Sequence, residues 1–82
     1  MLLEIITPDQ KVFSGEVKLI KVPGLDGWFE IMNKHAPIIS VIGHGKVKVI
    51  TDIGENRFFE VDGGVVEVKD NKIILLAEKL VK

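Results

Sequence analysis

There is no cysteine and no tyrosine in this chain, tryptophan occurs once, proline three times, and serine only at Ser14 and Ser40. The missing thiols exclude disulfides and thiolate metal sites. Aliphatic runs are short. The longest, Ile73 to Ala77, falls far below the roughly 18 residues that suggest a membrane span, so any membrane association is expected to go through a protein partner. Charge is balanced as well: eleven basic residues face twelve acidic ones for a formal net charge of −1. With the lysines spread along the chain, nucleic acid is not expected as a partner. The opening Met1-Leu2-Leu3-Glu4 has neither the basic patch nor the apolar stretch of a signal peptide, which points to the cytoplasm.

Catalytic constellations are missing too. Neither serine sits in a Gly-x-Ser-x-Gly elbow. His35 and His44, the only imidazoles, have no partner at metal-ligand spacing and read as turn histidines satisfying nearby backbone groups. Gly43-His44-Gly45-Lys46 fails as a phosphate loop, because Ser40 and Val47 stand where glycine and Ser/Thr are required. Gly63-Gly64 has no following helix to receive a phosphate and reads as a β-bulge or tight turn. No catalytic residue, metal, cofactor or small-molecule substrate is expected.

What is present is glycine-rich punctuation between short apolar segments. Pro23-Gly24, Asp26-Gly27 and Gly63-Gly64 supply fixed or positive φ where a chain reverses. The segments between them are too short for helices and too strongly β-branched to favour them. Strands are read at Leu2 to Thr7, Lys11 to Phe13, Glu16 to Val22, Trp28 to Met32, Ile38 to Ile42, Lys46 to Val49, Arg57 to Val61, Val66 to Lys69 and Lys72 to Ala77. Pro23 is expected to end its strand, and Asp70-Asn71 to make a hairpin turn. Glu78 to Lys82 is too short to nucleate a helix unaided. The fold class is therefore all-β: one domain over residues 1–82, a small β-sandwich of about eight to ten short, mainly antiparallel strands. A chain this small buries only about 60–65% of its unfolded surface, so the core should be thin.

Apolar residues are nonetheless plentiful, at 46%, with a mean hydropathy of +0.28. Ile38-Ile39, Phe58-Phe59 and Ile73-Ile74-Leu75-Leu76 place large groups on both faces of their strands. With no helices to cover an outer face, a partner is expected to do so. Trp28-Phe29, beside a turn, forms a second candidate contact.

Taken in order, Ile5-Ile6-Thr7-Pro8, Val12-Phe13-Ser14-Gly15-Glu16, Val22-Pro23-Gly24, Asp26-Gly27, Ile31-Met32, His35-Ala36-Pro37-Ile38, Gly45, Gly63-Gly64-Val65-Val66-Glu67-Val68, Asn71 and Leu75-Leu76-Ala77-Glu78 resemble the epsilon subunit of the rotary ATP synthase. The resemblance covers essentially the whole chain, and its specificity lies in the order and spacing of the pieces. It implies a non-catalytic rotor subunit of a proton-translocating synthase, lying peripherally at the cytoplasmic face of the cell membrane and linking the gamma subunit to the c-subunit ring. It also implies a gamma contact on Thr7, Pro8, His35, Ala36, Pro37 and Ser40, with Leu75 and Leu76 as additions. Trp28, Phe29, Glu30, Ile31, Met32, Asn33 and Lys34 would face the ring.

The departures from the family fall in that last segment. The family usually has a small or acidic residue at Trp28, glycine at Glu30, and proline and glycine at Asn33 and Lys34. A bulky Trp28 would suit ring loops offering an apolar or cationic partner. Family members commonly continue into a two-helix carboxy-terminal domain; if Lys82 is the natural end, the resemblance implies the amino-terminal sandwich alone, and if the chain is cut there, the functions of those helices stay open. The alternative reading is a small β-barrel or sandwich that binds or carries something else. A carrier domain would present a lysine at the Asp70-Asn71-Lys72 hairpin, and an oligonucleotide-binding barrel would gather basic residues among aromatics on one face.

Overall fold

A straight strand of fourteen residues reaches about 46 Å, yet the molecule measures 26 × 23 × 20 Å along its principal axes. The computed structural model describes residues 1–81, and three of its seven strands are that long. The strands are β1 (Leu2–Ile6), β2 (Lys11–Gly24), β3 (Gly27–Met32), β4 (Ile38–Thr51), β5 (Asn56–Lys69), β6 (Lys72–Ala77) and β7 (Leu80–Val81). No helix occurs among the described residues. Strands β2, β4 and β5 must therefore bend over the core, so that each serves both layers of the sandwich.

Hydrogen-bonded neighbours run β1-β6-β5-β4-β2-β3, and β1 also pairs β2. That extra pairing closes five strands into a ring, with β3 added along the second half of β2. All pairings are antiparallel except β1 with β6. The strand count is seven instead of eight to ten because three expected breaks are bends within continuous strands. Lys11 to Phe13 joins Glu16 to Val22 through Ser14-Gly15, and Ile38 to Ile42 joins Lys46 to Val49 through Gly43-His44-Gly45. Arg57 to Val61 likewise continues through Gly63-Gly64.

Gly63-Gly64 is neither a turn nor a bulge. Ile42 lies opposite Gly64 and His44 opposite Asp62, so the β4–β5 register passes through without a shift. The two glycines have φ of 85° and 149°. At Gly64 a Cβ would collide with the Leu76 carbonyl oxygen and lie 3.0 Å from the Ala77 Cα, so the missing side chain admits β6 as well as the bend.

Pro23 does not end its strand either. It pairs with Trp28 of β3, while the β2–β4 register shifts between Lys21 and Gly24. A residue with no N–H is tolerated where the ladder is interrupted. A second shift, between Val17 and Leu19, explains the imperfect alternation along β2. The bulge swaps faces, so Val17, Ile20 and Val22 all point inward. Asp70 and Asn71, at φ of 53° and 59°, form the expected two-residue hairpin turn, whose twist matches that of the strands it joins. The segment after Ala77 adds β7 against β5, and Lys82 lies outside the described residues.

The core is aliphatic. Leu3, Ile5, Ile20, Ile31, Ile42, Ile73 and Leu75 are fully buried among valines, and no described polar or charged residue is buried with them. Val47 and Val49 point inward, as their alternation with Lys46 and Lys48 predicts. Phe59 packs against the core and meets Phe13 edge-on at 5.7 Å, while Arg57 lies over both rings. Phe58 points outward.

The bend glycines are not equivalent. Gly64→Ala should cost about 2–4 kcal/mol, because backbone must move. Gly54→Ala, with φ of 88° and nothing within 4 Å, should cost only about 1 kcal/mol of backbone strain. Thermal unfolding of the two variants separates a close-packed bend from an open turn; equal losses would refute the distinction.

Candidate functional site: an uncovered apolar sheet face

Strand register brings four apolar side chains into one line across the outside of one layer. Ile6 of β1 lies beside Leu76 of β6, Leu76 beside Val65 of β5, and Val65 beside Val41 of β4. With strands about 4.8 Å apart, this row crosses roughly 14 Å of surface. Val41 is 54% exposed and Leu76 50%. The next row is Glu4, Ile74, Glu67 and Ile39, and Ile39 is 74% exposed. A groove of about 650 Å³ runs along the first row, its lining including Ile6, Thr7, Pro8, Val41, Leu76 and Glu78. Thr7 is held there by a tight turn: its N–H donates to the Gln10 carbonyl at 2.9 Å, and its hydroxyl accepts from the Gln10 N–H at 3.3 Å.

The residues expected to bind the gamma subunit are divided by this geometry. Thr7, Pro8 and Leu76 share the groove, and Pro37 lines an adjoining depression with Ile38, Ile39 and Glu67. Ala36 is exposed in the loop before β4. His35, half-buried in the same loop, donates its N–H to the Met32 carbonyl. Ser40 stands in register with Val66 and lines a depression beside the β2–β3 turn with Leu25, Asp26 and Trp28. Val41 lines both this depression and the groove, so the two adjoin at β4. Leu75 is a correction. It is fully buried in the core, so its side chain cannot meet a partner, and in β6 only its neighbour Leu76 is presented.

The ring-facing segment splits by the same alternation. Trp28, Glu30 and Met32 are exposed on one face of β3, while Phe29 packs inward. Ile31, fully buried, is a second correction. Asn33 accepts a hydrogen bond from the Met1 ammonium through Oδ1 at 2.8 Å. Lys34 has φ of 64°, and its N–H donates to Asn71 Oδ1 at 2.7 Å. Sequence reasoning missed Ile6, Val41 and Val65. Their signal was present in the period-two continuation from Ile39 to Val41, but the cross-strand register that aligns them with Leu76 was not.

His35 Nδ1 lies 2.7 Å from the Ala36 carbonyl, as a turn histidine should. His44 is not in a turn: it stands within β4, 3.6 Å from Glu60 and 3.3 Å from Asp62. Among the described residues no His, Asp and Glu group converges as a metal site.

The molecule is thus a β-sandwich with an exposed apolar row across one of its outer faces. The family model for the ATP synthase, Delta/Epsilon chain, beta-sandwich domain matches residues 1–82, and the chain belongs to that family. It is 45% identical to the ATP synthase epsilon chain of Chlorobium limicola over 93% of its own length and 86% of that protein's. Against the epsilon chain of Chlorobaculum tepidum the identity is 38%, over 95% and 89% of the two lengths. Its fold matches a chain in the cryo-EM structure of the Euglena gracilis mitochondrial ATP synthase OSCP/F1/c-ring assembly. That match has a TM-score of 0.92 at 18% identity, over 99% of this chain and 52% of the other.

Lys34 has a φ of 64°, in the left-handed region that glycine adopts without the strain a Cβ brings. Lys34→Gly should raise stability by about 0.5–1 kcal/mol, read as an increase of roughly 4 °C in Tm. An unchanged or lower Tm would show that the larger unfolded-state entropy of glycine cancels the relief of strain, since the backbone N–H that donates to Asn71 is kept in the variant.

Proposed function

We propose that this chain is a non-catalytic rotor subunit in the central stalk of a proton-translocating ATP synthase, joining the gamma subunit to the c-subunit ring and coupling ring rotation to ATP synthesis. The observation that carries the reading is the uncovered row of Ile6, Leu76, Val65 and Val41 in a member of the epsilon family. An aliphatic face of this kind loses little by being exposed briefly and gains from permanent cover at about 25 cal/mol per Å². Gamma would occupy the groove at Thr7, Pro8, Val41 and Leu76, with Ala36 and Pro37 at its margin. The exposed side chains of β3, Trp28, Glu30 and Met32, would face the ring. The subunit would sit peripherally at the cytoplasmic face of the membrane, held there by its partners.

The closed ring of strands suits a part that transmits torque, since five mutually paired strands cannot shear apart without breaking backbone hydrogen bonds. A lysine-carrier role is disfavoured by Lys72, which pairs with Lys69 to close its hairpin and does not stand at the tip.

Val41→Asp together with Leu76→Asp should weaken binding to gamma by at least about tenfold, since each desolvates a carboxylate in an apolar interface. The circular dichroism spectrum and Tm of the isolated chain should stay close to wild type, because both side chains are already half exposed. Retained gamma affinity in a folded double variant would remove the groove from the interface.

A further inference from the structure

The turn between β4 and β5 carries the most exposed large apolar side chain among the described residues, Ile53, at 82%. Hydrogen bonds fix it there. The Gly54 N–H donates to the Thr51 carbonyl at 2.9 Å, the Thr51 N–H to the Glu55 carbonyl at 2.9 Å, and the Glu55 N–H to the Thr51 hydroxyl at 3.0 Å. The Asp52 N–H ties the turn to the Glu16 carbonyl at 3.2 Å. Ile53 is thus held out in water between two carboxylates, Asp52 and Glu55. Among the described residues neither lies within ion-pair distance of a cation.

The opposite charge gathers further along the same hairpin. Lys21 of β2 lies directly opposite Lys48 of β4, and Lys48 opposite Phe58 of β5. With Lys46 and Trp28 these residues line one shallow depression. Lys21 Nζ lies 5.6 Å from the centre of the Trp28 ring, and Lys46 Nζ 5.6 Å from that of Phe58. Like charges directly opposite each other destabilise a sheet, yet among the described residues no carboxylate approaches these lysines within ion-pair distance. Between depression and turn, on the same face, stands the row Met32, Leu19, Ile50 and Asn56. Met32 is 55% exposed, and Leu19 and Ile50 are half-buried. Along β4 this outer face is therefore cationic and aromatic at one end, apolar in the middle, and acidic with an aliphatic tip at the other.

We infer that two copies of this chain pair through that face about a twofold axis at the Ile50 row, each setting its Ile53 tip into the other's depression. A twofold contact needs a surface complementary to itself after rotation, and opposite charges placed about an apolar middle meet that condition. Lys48 and Asp52 lie about 13 Å apart along the chain direction, on either side of Ile50. In the pair, Asp52 and Glu55 of one copy supply the anions that Lys21, Lys46 and Lys48 of the other lack. Ile53 meets the Trp28 and Phe58 rings, and the Ile50 row is buried at the centre. An apolar centre with a charged rim is the anatomy of a specific protein contact. Because the turn is already ordered by its own hydrogen bonds, little entropy is lost in fixing it. From Lys46 to Ile53 the face runs about 23 Å, and across its four strands about 14 Å, the footprint of a reversible contact and not of an obligate one. The pair leaves the row of Ile6, Leu76, Val65 and Val41 open but covers the side of β3 that the rotor reading gives to the ring, so it is a state of the unassembled chain.

The test is sedimentation equilibrium of the full chain over a range of protein and salt concentrations. Wild type should show a monomer–dimer equilibrium that weakens as salt rises. Asp52→Lys/Glu55→Lys and Lys46→Glu/Lys48→Glu should each dimerise at least about tenfold more weakly, because each sets like charges against one another in the pair. An equal mixture of the two should recover dimer at about wild-type affinity, since lysine tips then meet glutamate depressions and acidic tips meet lysine depressions. Ile53→Ser, a change at an exposed turn, should weaken the pair about tenfold as well, and it keeps the test decisive where a charge variant fails to fold. All three variants should bind gamma as wild type does, because gamma is assigned to the other layer. A wild type that stays monomeric throughout, a mixture of folded variants that recovers no dimer, or a dimer indifferent to every substitution would overturn the inference and leave the rotor reading standing. A wild-type chain that dimerises but does not bind gamma would refute the rotor reading and leave the pair standing.

Discussion

One layer of aliphatic side chains, with no described polar side chain buried among them, is what every strand here has to enclose. The core is too narrow for fourteen-residue strands to cross it straight, and among the described residues there is no helix to lay over it. The sheet therefore closes upon itself, and it can do so only where the backbone carries no Cβ in the way. Gly64, pressed against Leu76 and Ala77, shows the constraint most directly. From that closure follow both the register of β4, β5, β6 and β1 and the composition of the outer rows those strands present.

The register also determines what each outer surface offers. Ile6, Leu76, Val65 and Val41 come from four strands and form a surface only because the pairings align them. On the other layer the same rule sets Lys21 beside Lys48. The two faces are chemically opposed, one aliphatic and one cationic with aromatic rings. A small domain placed between two different partners needs that separation, because a contact made by apolar burial and one made by charge cannot easily be exchanged.

The all-β class was legible in the sequence because turn residues and period-two alternation are local signals. Lys46 to Val49, Phe58 against Phe59, and the Asp70-Asn71 turn all stand where the pattern indicated. Where the reading failed, the cause was that glycine marks a bend and a reversal alike. Gly43, Gly45, Gly63 and Gly64 lie within strands, and their role is decided by what packs against them across the sheet. Pro23 was misread for a related reason: the ladder it would break is already displaced there by a bulge. The candidate contact surface was half legible. Thr7, Pro8 and Leu76 were found, but burial of Leu75 and Ile31 depends on which parity faces inward, and the runs around them are apolar on both.

β1 is synthesised before the other described strands, yet its partners are not adjacent in time. Its hairpin partner β2 follows at once, whereas Leu2 lies opposite Lys72 and Ile6 opposite Leu76 in the parallel pairing that completes the ring. Until β6 has emerged, Leu3 and Ile5 have only half of their enclosure, and β5 has an unpaired edge along Gly64 to Lys69. Such late, long-range closure makes folding slow relative to hairpin formation. The nascent chain thus passes through a period when its most apolar strands are open to wrong partners, and the outer row of Ile6, Leu76, Val65 and Val41 is complete only once β6 has emerged.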